Sequence, residues 1–64
     1  MGFAENLKKA RKNAGLTQQQ VAQAICVDRT TIAQYERGFS EPKLKNIIIL
    51  CDLLNVNLEE LTSD

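Results

Sequence analysis

Apolar residues recur along this chain at the three- and four-residue spacing of helices, with none of the strict alternation of a strand. Phe3, Leu7, Ala10 and Ala14 share one face, and Gly15 follows at the position that favours a left-handed residue. The pattern predicts a first helix over about 3–14, with Lys8, Lys9, Arg11 and Lys12 toward water. Thr17 and Gln20 have the spacing of a capping box and open a second helix, about 18–25, whose inner face is Val21, Ala22 and Ile25. Cys26 and Val27 break the pattern. Asp28 is a good N-cap for a third helix, about 29–37, which turns Ile32 and Tyr35 inward and ends at Gly38. Phe39 to Pro42 reads as a loop.

The fourth helix, about 43–54, is the most apolar, with Leu44, Ile47, Ile48, Leu50, Cys51 and Leu54 on a broad inner arc and Asn55 as its cap. Asn57 caps a short fifth helix that carries Glu59 and Glu60 at its positive end. The expected fold class is therefore all-α, a compact bundle of five short helices, with residues 1–64 as one domain. Two apolar residues escape the core face. On a helical wheel Ile49 and Leu53 lie on the side away from Leu44 and Cys51. Either the fifth helix and the chain ends cover them, or they form a dimer interface together with Val56 and Leu58.

Composition narrows the chemistry. Sixty-four residues allow one small core of marginal stability and no deep catalytic cleft. With no His and two Cys, the chain assembles neither a four-ligand zinc site nor a Ser-His or Cys-His dyad. An enzyme is not expected, nor a metal, a cofactor or a small-molecule ligand. Cys26 and Cys51 sit in the apolar runs AICV and ILCDLL and read as reduced, buried small hydrophobes, a usage that fits a reducing, cytoplasmic setting. No apolar run has the length of a membrane span, and no signal peptide is expected. Net charge is zero, yet residues 1–37 carry six cations against three acids and residues 38–64 two against five. Such polarity still offers phosphates an electropositive face.

The stretch Leu16–Gly38, LTQQQVAQAICVDRTTIAQYERG, contains two helices joined by a short turn, with a small residue, Ala22, inside the first. Leu16-Thr17-Gln18, Val21-Ala22, Ile32 and Glu36-Arg37-Gly38 stand at the spacings of the Cro and phage-repressor (XRE-type) helix-turn-helix family, which this segment resembles. The five-helix layout and the closing LCDLLNVNLEEL extend the resemblance over nearly the whole chain, and it implies a lambda-repressor-like DNA-binding domain with its helix-turn-helix at about 18–37.

The resemblance implies that the third helix lies in the major groove, with Arg29, Thr30, Thr31 and Gln34 as base readers. Arg suits guanine O6 and N7, Gln suits adenine N6 and N7, and Thr offers a hydroxyl and a methyl. Gln18 is the family's usual phosphate anchor, and Arg37 and Lys43, flanking the loop after the third helix, would grip the backbone on the other side. Arg11 and Glu36 match a structural ion pair between the first and third helices. The expected function is a sequence-specific transcriptional regulator of Cro/repressor type that binds a palindromic operator in double-stranded DNA as a homodimer. The alternative is a protein-interaction module such as an antitoxin or anti-repressor. Cys26 departs from the family, which often has Gly at that turn.

Overall fold

A computed structural model describes residues 2–63. Its elements run α1 (Phe3–Asn13), α2 (Gln18–Ala24), α3 (Arg29–Arg37), α4 (Leu44–Leu54) and α5 (Leu58–Thr62), with no strand among the described residues.

One device ends the first four helices. The residue after the cap turn adopts a left-handed conformation: Gly15 (φ 74°), Cys26 (φ 61°), Gly38 (φ 79°) and Asn55 (φ 57°). In each case the next amide reaches back five residues, as in Leu16 N–H to Arg11 O at 3.2 Å and Val27 N–H to Ala22 O at 2.9 Å. This is the Schellman arrangement, which satisfies otherwise orphaned carbonyls and turns the chain sharply. The apolar residues that follow, Leu16, Val27 and Val56, pack against the core. Phe39, in the same position after α3, is instead 74% exposed.

The starts of α2 and α5 are complete capping boxes, Thr17 with Gln20 and Asn57 with Glu60. Asp28 occupies the N-cap of α3, but its side chain makes no cap hydrogen bond. The Thr31 amide bonds the Asp28 carbonyl at 2.9 Å.

The core draws Leu7 and Ala10 from α1, Val21 and Ala22 from α2, Ile25 from the turn, Ile32 and Tyr35 from α3, Leu50 and Leu54 from α4, and Leu61 from α5. Burying each of the larger side chains contributes about 1.5–3 kcal/mol. Ala14, placed on the inner face of the first helix by spacing, lies at its C-cap and is exposed. Asn6 ties the chain ends together, donating from Nδ2 to Leu61 O at 3.1 Å and to Ser63 O at 2.6 Å.

The inner arc expected for α4 is too broad and misplaced. Leu50 and Leu54 are buried, whereas Leu44 and Ile48 are 63% and 59% exposed. They stack at i and i+4 on a face that no other described element covers. Ile49, expected to point outward, packs half-buried against the core. Burial follows the line that neighbouring elements cover, and in α4 that line runs through Leu50 and Leu54 rather than through Leu44 and Ile48. Cys26 is likewise exposed rather than buried, because the left-handed turn carries its side chain off the α2 face; Cys51 is half-buried, and both thiols are free.

Candidate nucleic-acid interface

The four residues Ile25–Asp28 join α2 to α3. Ala22 has no exposed surface, and the helix that carries it packs against α3. A larger side chain there would push them apart. Ile32 and Tyr35 anchor α3 inward, so that the opposite side of the helix faces water. On that side Arg29, Thr30 and Gln34 are exposed, while Thr31 and Ala33 are half-buried.

The first residues of α2 and α3 meet in space. Gln18 and Arg29 each open their helix, and Arg29 Nη1 donates to Gln18 Oε1 at 3.3 Å. Behind them lies the ion pair. Arg11 Nε donates to Glu36 Oε2 at 2.6 Å and Arg11 Nη2 to Glu36 Oε1 at 3.2 Å, a two-pronged contact between α1 and α3. The side chains are 10% and 3% exposed. Arg11 Nη1 also donates to Leu16 O at 2.8 Å, and no buried side-chain polar atom among the described residues lacks a partner. Gln18 Nε2 donates to Glu36 Oε1 at 3.1 Å and so links the pair to the exposed face of α3.

Arg37 and Lys43 stand exposed at the two ends of the α3–α4 loop. The Arg37 guanidinium carbon lies 6.0 Å from the centre of the Phe39 ring, the outer limit of a cation–π contact. Of the four apolar residues expected at an interface, Leu53 and Leu58 are exposed, whereas Ile49 and Val56 are half-buried against the core. Sequence spacing gave no sign of the Gln18 links or of the Arg37–Phe39 contact. They join side chains whose approach depends on how the helices cross and how the loop bends.

The Cys51 thiol is pushed above its ordinary range by burial and, second, by the charge of Glu60. No group of three or more His, Cys, Asp or Glu side chains among the described residues is placed to hold a metal, and no described helix is long and apolar enough to cross a membrane.

A helix-turn-helix family model matches residues 7–61. YqaE of Bacillus subtilis (strain 168), an uncharacterized HTH-type transcriptional regulator, is 42% identical over 59 residues, which make up 92% of this chain and 51% of that protein. The chain thus spans about half the length of that relative. Among solved structures, the restriction-modification controller protein C.AhdI from Aeromonas hydrophila superimposes with a TM-score of 0.83 at 32% identity, over 92% of this chain and 89% of that one. The P22 c2 repressor, solved with a synthetic operator, gives a TM-score of 0.91 at 24% identity over 98% of this chain and 96% of that one, a likeness of fold.

Proposed function

The chain belongs to the helix-turn-helix family of Cro and phage-repressor type, and from that premise we propose that it is a sequence-specific DNA-binding transcriptional regulator that reads its operator through α3. The observation that carries this reading is the outer face of α3. Arg29, Thr30 and Gln34 stand exposed together on a helix whose other side is locked into the core. These are the side chains whose hydrogen-bonding patterns match guanine, thymine and adenine edges. Thr31, half-buried at the same end, completes the set with its hydroxyl. Gln18, Arg37 and Lys43 hold the phosphate backbone on either side of the groove.

The regulator acts as a homodimer on a palindromic operator. One recognition helix reads only a few base pairs, and two of them one DNA turn apart lengthen the site and multiply affinity. Leu53 and Leu58, exposed beside half-buried Ile49 and Val56, supply the apolar surface for the partner. Regulation is steric, requires no catalysis and no cofactor, and takes place in the cytoplasm, where the DNA of a prokaryotic or phage host lies.

The test is selection of bound duplexes from a random pool at about 150 mM salt, where non-specific attraction is damped. The expected result is an enriched palindrome with half-site centres about 10 base pairs apart. Folded protein that enriches no sequence would overturn the reading in favour of a protein-binding module.

A further inference from the structure

The buried ion pair and the exposed face of α3 are joined by one side chain whose orientation both neighbours dictate. Glu36 is an acceptor, so only the NH2 end of the Gln18 amide satisfies it, at 3.1 Å. Arg29 is a donor, so only the carbonyl end satisfies it, at 3.3 Å. The two demands coincide. A hydrogen-bonded line therefore runs from Arg11 through Glu36 and Gln18 to Arg29, with every donor facing an acceptor. Its inner end is rigid, because the Glu36 side chain is 3% exposed and held twice by Arg11. Its outer end is an exposed guanidinium that otherwise samples many rotamers and loses that freedom on binding.

We infer that Glu36 is a positioning residue for base reading: through Gln18 it sets where the Arg29 guanidinium stands, so discrimination at the base pair under Arg29 depends on a carboxylate buried behind the interface. The inference rests on the DNA-reading role of α3 proposed above. It goes beyond the ion pair's part in folding, because it makes specificity, and not only stability, a property of Glu36.

Glu36→Gln tests it. The substituted amide has one oxygen where the carboxylate had two. The shorter contact, Arg11 Nε to Oε2 at 2.6 Å, holds that oxygen in the Oε2 position, which turns the NH2 toward Gln18 and leaves Arg11 Nη2 without its acceptor. Gln18 then presents its carbonyl to that NH2 and its own NH2 to Arg29, which loses its acceptor. The readout is the ratio of affinities for the selected operator and for one changed at the base pair whose preference Arg29→Ala abolishes. It is measured in wild type, Glu36→Gln, Arg29→Ala and the double variant, at a temperature where circular dichroism shows each to be folded. The expected result is a fall in this ratio of about fivefold or more in Glu36→Gln, the low end of one good base contact, and no further fall when Arg29 is already absent. A uniform loss of affinity for both operators, or the same fall in the Arg29→Ala background, would overturn the inference.

Gln18→Leu keeps the Arg11–Glu36 pair and cuts the line further out, so it serves if Glu36→Gln does not fold. The same ratio must fall in it as well, whatever uniform weakening accompanies the lost phosphate contact. An unchanged ratio there refutes the positioning role. A wild-type chain with no sequence preference at all refutes instead the DNA-reading role of α3, and the inference with it.

Discussion

Cys26 holds a conformation that its side chain resists, and replacing it should make the protein more stable. Its φ of 61° is that of a left-handed residue, which costs an L-amino acid about 1–2 kcal/mol relative to ordinary helical backbone. Cys26→Gly removes that cost but gives the unfolded chain extra freedom worth about 0.5–1 kcal/mol. No packing is lost, because the thiol is exposed, and the bonds that close the turn, Val27 N–H to Ala22 O at 2.9 Å and Cys26 N–H to Gln23 O at 3.3 Å, are made by the backbone. The net gain is about 0.5–1 kcal/mol. At about 4–8 °C per kcal/mol for a domain of this size, the melting temperature should rise by about 2–8 °C. Thermal unfolding followed by circular dichroism measures it, with Cys26→Ala as the control that keeps the backbone cost and removes only sulfur. Cys26→Ala should melt close to wild type, and Asn55→Gly should gain less, because Asn tolerates this conformation. If Cys26→Gly melts no higher than Cys26→Ala, the turn is unstrained and the reasoning fails.

Four other outcomes follow from the same geometry. Arg11→Met leaves the Glu36 carboxylate buried without its partner and should cost about 3–5 kcal/mol, a large share of the roughly 3–10 kcal/mol expected in total. Arg11→Met with Glu36→Leu should recover most of it in urea titrations; an equal loss in single and double variants would contradict the pairing. Iodoacetamide should label Cys26 well before Cys51, whose thiol is half-buried and held in its protonated form by burial and Glu60, and peptide mass mapping distinguishes the order. Leu53→Glu or Leu58→Glu should turn the proposed dimer into monomer in analytical ultracentrifugation, while Ile48→Glu, on another side of α4, should not; the opposite pattern would move the proposed interface to Leu44 and Ile48. Arg37→Ala and Lys43→Ala should each weaken binding to all duplexes about equally and reduce the salt slope by about 1, and a base-selective loss would reassign them as readers.

The helices and their ends were legible in the chain because they are built from residues close in sequence. Thr17 and Gln20, or Asn57 and Glu60, close their boxes across three positions, and the left-handed turns at Gly15, Gly38 and Asn55 depend on the residue itself. The exposed face of α3 was legible in part for the same reason: with Ile32 and Tyr35 inward, helical periodicity turns Arg29, Thr30 and Gln34 outward, but it turns Thr31 and Ala33 outward as well, and these are half-buried. The candidate ion pair of Arg11 and Glu36 came from family resemblance, since periodicity says nothing about two residues 25 positions apart.

Burial departs from helical periodicity where a neighbouring element, or the lack of one, decides what is covered. Leu44 and Ile49 are both large and aliphatic, and nothing in their own helix says which one a neighbour will meet. Asp28 has the right residue type and backbone for a cap, yet its side chain takes no amide, whereas that of Asn57 takes the Glu60 amide. Gln18 shows the limit most clearly. Its position at the start of α2 follows from Thr17 before it, but the direction of its amide is imposed by Glu36 on one side and Arg29 on the other. Local hydrogen bonding and residue conformation act within a few positions and are written along the chain, whereas burial and side-chain orientation are many-body properties that exist only after the helices have packed.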